Sequence, residues 1–165
     1  MSNDIALVRV DNRLIHGQIL EAWVPYIEAS CIMLVNDEIA GDVFRETIIR
    51  MAVPRDVEVI VSSIEDFARK YPYSTGHGKK SIVLFDSIAD ALKAFQLGFK
   101  FDKLNLGNVH HLQREGKETS YSSSVFLNDS DVKNILNLMS SAGVQIELRR
   151  IPADTPVDVK DIITG

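Results

Sequence analysis

Two unbroken apolar runs constrain the fold of this chain most strongly. Cys31–Val35 reads C-I-M-L-V and Ser81–Phe85 reads S-I-V-L-F. Runs of this length without polar alternation are typical of strands that are covered on both faces of a parallel sheet. Other segments space their apolar residues as helices do, as at Phe44, Ile48 and Met51. This alternation predicts an α/β three-layer sandwich whose mostly parallel central sheet has about seven strands, one of them antiparallel near the C-terminal half.

The length and charge of the chain indicate which kinds of protein it can be. A chain of 165 residues predicts a single domain, residues 1–165. The net charge of -5 argues against general nucleic-acid binding, which requires a basic face. The start M-S-N-D lacks the pattern of a signal peptide, and no apolar run approaches the ~20 residues that span a bilayer. We therefore expect a cytoplasmic domain that reaches a membrane only through a partner.

The first strand and the first helix are predicted on either side of a polar loop. Ile5–Val10 has the apolar content of a strand, and residues 16–28 are predicted as a helix that Pro25 disturbs or shortens, because proline lacks a backbone donor. The remaining uncertain elements are a helix that ends before Pro72, a serine-rich edge or antiparallel strand at Ser120–Leu127, and a last helical turn at Val157–Ile163.

The loop between the first strand and helix carries residues suited to phosphate chemistry. Residues 10–18 read V-D-N-R-L-I-H-G-Q and place Asp11, Arg13 and His16 where a strand leads into a helix. In open α/β sheets, ligands bind at this edge. A neutral imidazole is a nucleophile, and a guanidinium matches phosphate oxygens. The amides of Gly17 and Gln18, at the helix start, attract an anion.

The same loop resembles the active-site loop of the IIB proteins of the mannose/fructose/sorbose family of the sugar phosphotransferase system. Weaker matches follow in the order of that family: V-N-D-E at 35–38, L-N-L-G-N at 104–108 and R-R-I-P-A-D-T-P-V-D at 149–158. The resemblance implies a single IIB-type phosphocarrier domain with a mostly parallel α/β fold. The G-N-V-H segment at 107–110 resembles members that serve N-acetylgalactosamine or related amino sugars.

The resemblance also implies a function. In that family the loop histidine, here His16, accepts a phosphoryl group from a IIA protein on its Nδ1 (pros) nitrogen. It passes the group to a sugar that is taken up through a IIC/IID membrane complex. The chain would then be a protein-Npi-phosphohistidine–sugar phosphotransferase, peripherally associated with the membrane through IIC/IID. We expect it to need no cofactor.

Several residues near this loop have two interpretations. Asp11 either fixes the tautomer of His16 or serves only the turn, since Asp-Asn is a common turn pair. Arg13 either binds phosphate or is a solvated loop cation. Asn36 and Asp37, which follow the second strand, either form an edge of the site or merely begin the next helix.

The other histidines are assigned more ordinary roles. Asn108, His110 and His111 follow a later strand and either support the site or belong to an ordinary loop. His77 is expected in an exposed loop. The spacing of the four histidines matches no zinc motif, so we expect no metal site.

Two competing functions are a regulatory receiver-like module and a small-molecule binding domain with a non-catalytic His16. A receiver needs an aspartate at the end of its third strand, where this chain has Ser62-Ser63. The sequence contains neither GxGxxG nor GxxxxGK[ST], so it lacks the glycine motifs of dinucleotide-binding and P-loop sites.

Overall fold

The computed structural model describes residues 4–74, 78–111 and 117–163. In this part of the chain, a seven-stranded sheet has the order β3-β2-β4-β1-β5-β8-β9, and β6 pairs with β7 as a separate two-stranded sheet. Neighbours in the main sheet are parallel except for β8 and β9. The strands are β1 Ile5–Asp11, β2 Cys31–Val35, β3 Glu58–Ser62, β4 Ser81–Phe85, β5 Lys103–Asn108, β6 Thr119–Ser120, β7 Phe126–Leu127, β8 Gln145–Leu148 and β9 Val157–Asp158.

Helices cover both faces of the main sheet. A π-helical segment, Gln18–Trp23, continues directly into α1. One buried cluster joins the sheet to α4, α5 and α6, and a second joins it to the π-helical segment, α2 and the end of α3. The helices are α1 Val24–Ile27, α2 Asp37–Ala40, α3 Val43–Ala52, α4 Ile64–Ser74, α5 Ile88–Gln96 and α6 Asp129–Ala142, and a 3-10 turn covers Val159–Asp161. The predicted three-layer sandwich is confirmed.

The carboxyl end of β1 lies at a switch point of the sheet, where neighbouring strands are followed by helices on opposite faces. The loop after β1 leads to the π-helical segment on one face, whereas the adjacent strands β4 and β5 lead to α5 and α6 on the other. Ligands bind at such switch points in open α/β sheets. The fold therefore puts the loop that carries His16 in the expected position.

Several local predictions are confirmed by the structure. Strands β2 and β4 have the predicted limits. In the structure, α6 begins after an Asn128 cap and ends before Gly143. Gly143 has a φ of 68°, the left-handed conformation that favours glycine at a helix end. Ser87 caps α5 through a hydrogen bond from the amide of Asp90.

The first helix was predicted with the wrong start and the wrong geometry. It begins at Gln18 rather than His16, and its first part is π-helical. Pro25 lies where the π-helical segment passes into α1, and the chain stays helical through it to Ile27, so the proline accompanies a change of helix geometry rather than a break. The short helix α2, which fills the turn after β2, was not predicted.

Three other predictions were wrong in detail. Helix α4 runs past Pro72 to Ser74, so this proline lies within the last turn of the helix rather than beyond it. Residues 120–127 form the β6–β7 hairpin, so the antiparallel strand of the main sheet is β9 instead. The tail at 157–163 is β9 followed by the 3-10 turn. In the described residues, no helix combines the length and apolarity needed to cross a membrane.

Candidate active site

Asp11 is the buried centre of the site. Its side chain is fully buried at the end of β1, and both of its carboxylate oxygens accept hydrogen bonds. Arg9 Nη2 donates to Oδ2 at 3.0 Å, and the amide of Arg13 donates to Oδ1 at 3.0 Å. The Arg13 side chain adds contacts of 3.2 Å from Nε and 3.3 Å from Nη2. The carboxylate is therefore held by two guanidinium groups.

His16 makes the remaining contact to this carboxylate. Its Nε2 lies 2.9 Å from Oδ2 of Asp11, and its side chain is 18% exposed. Burial raises the pKa of Asp11, but the hydrogen bonds from His16 and Arg13 and the charge of Arg9 outweigh it, so the pKa falls to about 2. An ionised carboxylate can only accept a hydrogen bond, so Nε2 must carry the proton.

The other ring nitrogen of His16 consequently has its lone pair available. The amide of Gln18 donates to Nδ1 over 3.3 Å, a long hydrogen bond. The helix-start amide predicted to bind phosphate thus contacts the imidazole in this structure. Gly17 stands in open space, since an added Cβ would meet only Glu21, at 3.9 Å. Nδ1 is thus the unprotonated nitrogen, and a group that bonds to it must displace the Gln18 amide.

Arg13 is oriented toward the helix start beside His16. Its Nη2 donates to Oε1 of Gln18 at 2.8 Å as well as to Asp11, and its side chain is 41% exposed. Within the described residues, Nη1 of Arg13 donates no hydrogen bond, so that edge of the guanidinium can bind an anion. The structure thus brings Asp11, Arg13, His16, Gly17 and Gln18 together in one loop.

Arg9 is a buried support that sequence reasoning did not assign to the site. It is fully buried, and Nη1 donates to Asn105 Oδ1 at 2.7 Å and to the carbonyl of Arg149 at 2.9 Å. Its guanidinium also lies 5.3 Å from the centre of the Trp23 ring. Side chains alternate along a strand, so Arg9 and Asp11 share one face of β1. This two-residue spacing is the feature of the sequence from which the role of Arg9 could have been inferred.

Gly107 makes room for that arginine. A Cβ built on Gly107 would lie 1.9 Å from Cζ of Arg9, far inside any real contact distance. The backbone of β5 therefore passes directly against the guanidinium, and glycine is required for steric reasons rather than for an unusual φ. The sequence motif L-N-L-G-N contains this residue, but its role depends on a contact 98 positions away along the chain.

The loop after β1 is anchored to β5 through Asn12. The amide of Asn12 donates to the carbonyl of Asn108 at 3.0 Å, and its Nδ2 donates to the carbonyl of His110 at 2.7 Å. The side chains of Asn108 and Asn12 are also hydrogen bonded to each other. Leu14 has a φ of 58° and is buried, which turns the chain toward His16. Asn108 and the backbone of His110 thus support the loop.

The side chains of His110 and His111 make their own contacts. The His110 ring lies 5.0 Å from the Phe126 ring, and its Nδ1 is 3.6 Å from Glu118. Nε2 of His111 lies 2.6 Å from Asp131 in the first turn of α6. Neither side chain contacts His16. His77 falls outside the described residues, and the described part contains no cluster of three or more His, Cys, Asp or Glu residues that could hold a metal.

Asn36 and Asp37 take part mainly in helix capping. Asn36 accepts from the amide of Ile39 at 3.0 Å and thereby caps α2, while its Nδ2 donates to Asp86. Asp37 accepts from the amide of Ile64 at 2.9 Å and thereby fixes the start of α4. Neither side chain contacts His16, Arg13 or Asp11. In the structure, Asn36 therefore caps α2 and Asp37 holds the start of α4.

The family comparison covers almost the whole chain. Residues 5–165 match the family described as the PTS system sorbose subfamily IIB component. The fructose-specific EIIB component of Bacillus subtilis (strain 168) is 30% identical over 160 residues, which are 97% of this chain and 96% of that protein. The IIBSor domain of the sorbose permease from Klebsiella pneumoniae superposes with a TM-score of 0.83 at 30% identity, covering 95% of this chain and 94% of that one.

A longer relative matches over half of its length. The mannose-specific EIIAB component of Escherichia coli (strain K12) is 29% identical over 97% of this chain, but the match covers only 48% of that protein. In all of these comparisons the similarity extends across the sheet and the helices and includes the loop that carries His16. The chain belongs to the sorbose subfamily of IIB components of the sugar phosphotransferase system.

Proposed function

We propose that His16 accepts a phosphoryl group from a IIA protein and passes it to a sugar during uptake through a IIC/IID membrane complex. The chain would act as a protein-Npi-phosphohistidine–sugar phosphotransferase in the cytoplasm, held at the membrane by IIC/IID. One observation carries this proposal. Nε2 of His16 faces the buried carboxylate of Asp11 at 2.9 Å, which leaves Nδ1 as the nucleophile.

In the first transfer, Nδ1 of His16 attacks the phosphorus of the phosphorylated IIA protein in line. The Nδ1–P bond forms from the lone pair of Nδ1, and the donor's N–P bond breaks and returns its electron pair to the donor nitrogen. No proton has to leave His16, because Nδ1 is already unprotonated. Phosphoryl transfer depends on positioning and on charge stabilisation, which the free edge of Arg13 supplies, joined by the amide of Gln18 once the phosphoryl group displaces it from Nδ1.

Asp11 has two roles in this step. It keeps the proton on Nε2, so that only Nδ1 can react, and it stabilises the positive charge that the ring gains when Nδ1 becomes bonded to phosphorus. The arginines Arg9 and Arg13 keep the carboxylate ionised and in place. Asp11 itself stays away from the phosphoryl group, which it would repel.

In the second transfer, a hydroxyl of the sugar attacks the phosphorus on His16. The O–P bond forms, the Nδ1–P bond breaks and its electron pair returns to Nδ1, while the hydroxyl proton passes to solvent, which regenerates the starting imidazole with its proton on Nε2. The IIC/IID complex presents the sugar, so the sugar is selected outside this chain. The free Nη1 edge of Arg13 stabilises the charge on the phosphoryl group in both transfers, to His16 and from His16 to the sugar.

Phosphorylation by a IIA component of the mannose/fructose/sorbose family tests this proposal. We expect wild-type protein to take one phosphoryl group per chain and His16→Ala to take none while it remains folded by circular dichroism. The label should be lost in acid and survive alkali, as phosphohistidine does. An acyl phosphate, lost in both, would instead support a receiver-like module, and an unlabelled wild-type protein would support a binding domain.

A further inference from the structure

Three polar side chains form a row across neighbouring strands of the main sheet. Arg9 of β1, Asn105 of β5 and Glu147 of β8 are register partners on adjacent parallel strands, and all three are buried. Buried polar groups cost free energy unless they are hydrogen bonded. Arg9 already belongs to the site through its contact with Asp11. The row therefore connects the active site to two further buried side chains inside the sheet.

The hydrogen bonds along this row have only one possible direction. A guanidinium can only donate, and an ionised carboxylate can only accept. Nη1 of Arg9 donates to Oδ1 of Asn105 at 2.7 Å, so the oxygen of that amide faces β1. Nδ2 of Asn105 donates to the carbonyl of Arg149 at 3.2 Å and, more weakly, to Oε1 of Glu147 at 3.5 Å. A donor on one side and acceptors on the other therefore hold the Asn105 amide in a single orientation.

The orientation of the Arg9 guanidinium depends on its two terminal nitrogens. Nε is buried and has no hydrogen-bond partner in the part of the chain that the structure describes. Nη1 donates to Asn105 at 2.7 Å and to the carbonyl of Arg149 at 2.9 Å. Nη2 donates to Asp11 and to the carbonyl of Arg150, both at 3.0 Å. Asn105 makes the shortest of these contacts, so it contributes directly to the direction in which the guanidinium points.

The same guanidinium holds the carboxylate that faces His16. Nη2 of Arg9 and Nε2 of His16 both contact Oδ2 of Asp11, at 3.0 Å and 2.9 Å. A rotation of the guanidinium that lengthens the first contact would move this oxygen and weaken its hold on the proton of Nε2. Between the described residues, Asn105 makes no hydrogen bond to His16, so its influence on the ring passes through Arg9 and Asp11.

We propose that Asn105 is a positioning residue for phosphoryl transfer. It orients Arg9 so that Asp11 keeps the proton on Nε2 of His16 and leaves Nδ1 unprotonated. The inference rests on the proposed function, because Nδ1 is there the nitrogen that accepts the phosphoryl group. Glu147 ensures, together with the Arg149 carbonyl, that the amide presents its oxygen to Arg9.

Asn105→Leu tests this role, because leucine has a similar volume but offers no acceptor to Arg9. In the unphosphorylated protein with a neutral ring, ¹⁵N shifts of His16 should change from a pure Nε2–H form to a mixture of both tautomers. Labelling of His16 by phosphoramidate, a small donor, should slow by about tenfold, within the ~100-fold that small displacements of catalytic groups can cost. A purely structural role would lower the midpoint of urea unfolding and leave the tautomer unchanged.

Two further variants separate positioning from stability. Asn36 is also a buried asparagine, but its hydrogen bonds go to Asp86 and to the first turn of α2. Asn36→Leu should therefore lose stability while it keeps the wild-type tautomer and labelling rate. Asn105→Asp keeps an oxygen in the position that accepts from Arg9, so the Nε2–H tautomer should be retained, although the new charge beside Glu147 lowers stability.

A double variant tests whether Asn105 acts through Arg9. In an Arg9→Met background there is no guanidinium to orient, so Asn105→Leu should change neither the tautomer populations nor the labelling rate any further. Coupling of this kind is expected between residues in direct contact.

Several results would overturn the inference. A folded Asn105→Leu variant with the wild-type tautomer and labelling rate would show that Arg9 is held without Asn105. An equal further loss in the Arg9→Met background would mean that Asn105 acts by another route. A tautomer mixture in Asn36→Leu or in Asn105→Asp would make it a general consequence of lost stability.

Two provisions keep these results interpretable. If Asn105→Leu does not fold, Asn105→Ala removes the same acceptor without added bulk, and the same criteria apply to it. The tautomer is measured without any phosphoryl donor, so a failure of the proposed function is seen separately, as wild-type protein that takes no label from a IIA protein.

Discussion

Nε2 of His16 lies 2.9 Å from Oδ2 of Asp11, and this contact leaves Nδ1 as the ring nitrogen with an available lone pair. The proton on Nε2 is required because the carboxylate is ionised, with a pKa lowered to about 2. The guanidinium groups of Arg9 and Arg13 hold this carboxylate ionised and in place.

Asp11→Asn should impair phosphoryl transfer by weakening the choice of tautomer. An amide can donate to Nε2 as well as accept from it, so both neutral tautomers of His16 become populated. We expect the transfer rate to fall by about a hundredfold or more, by analogy with the loss of a carboxylate that orients a catalytic histidine. Rapid-quench kinetics measures the rate, and ¹⁵N shifts of the imidazole report the tautomer.

Asp42→Asn serves as the matched control for this change. Asp42 caps α3 by accepting from the amide of Arg45, and asparagine caps helices equally well. Its transfer rate should therefore equal that of wild type. A wild-type rate in Asp11→Asn, with the Nε2–H tautomer retained, would show that the carboxylate does not determine which nitrogen reacts.

The same carboxylate should make stability depend on pH in acid. Its folded pKa of about 2 lies below the ordinary value of 3.8, so the folded state binds the proton less tightly than the unfolded state. The resulting contribution of about 2 kcal/mol is fully present above pH 4 and is lost as the pH falls toward 2. Urea unfolding of wild type and Asp11→Asn should show the gap between them narrowing over that range. A gap that is constant with pH would contradict this assignment.

Gly107→Ala should disrupt the site without removing any polar group. The new Cβ would collide with the guanidinium of Arg9, so the arginine must move and loosen its hold on Asp11. We expect a loss of about 1–3 kcal/mol of unfolding free energy, typical of overpacking, together with slower labelling of His16. Chemical denaturation and phosphorylation kinetics measure the two effects.

A double variant tests whether the collision with Arg9 causes the loss of stability in Gly107→Ala. In an Arg9→Met background the side chain is shorter and uncharged, so Gly107→Ala should add little further loss. Non-additivity of this kind is expected for residues in direct contact. Fully additive losses would instead mean that Gly107 acts independently of Arg9.

Arg13→Lys should slow transfer without abolishing it. Lysine keeps the positive charge but lacks the planar set of donors that contacts Asp11 and Gln18 while leaving Nη1 free. Loss of one donor to the transferring group typically costs about 3 kcal/mol, or roughly a hundredfold in rate. Arg13→Ala should cost more, because the charge is lost as well. Rapid-quench rates like wild type in both variants would make Arg13 a solvated loop cation.

The parts of this molecule that local patterns determine were predictable from the sequence. The apolar runs at β2 and β4 have the predicted bounds, because the burial of a strand on both faces is encoded in adjacent residues. The π-helical segment could not be predicted, since its hydrogen-bond shift leaves no mark in the apolar spacing. The hairpin at 119–127 resembled one strand because its serines interrupt the pattern only weakly.

The residues of the candidate site also differ in whether the sequence alone could group them. Asp11, Arg13 and His16 occur within six residues, so one strand-to-helix loop was enough to group them. Arg9 depends on Asn105, Gly107 and the carbonyls after β8, contacts that exist only once β1 lies beside β5. Such long-range packing is a property of the fold and not of any short segment.

The most direct test of the account locates the phosphoryl group on the His16 ring. Wild-type protein with ¹⁵N-labelled histidine is phosphorylated by a IIA component, and long-range ¹H–¹⁵N spectra with phosphorus coupling identify the bonded nitrogen. The account predicts phosphorus on Nδ1 of His16, with the proton still on Nε2 facing Asp11. Phosphorus on Nε2, or on any residue other than His16, would contradict it.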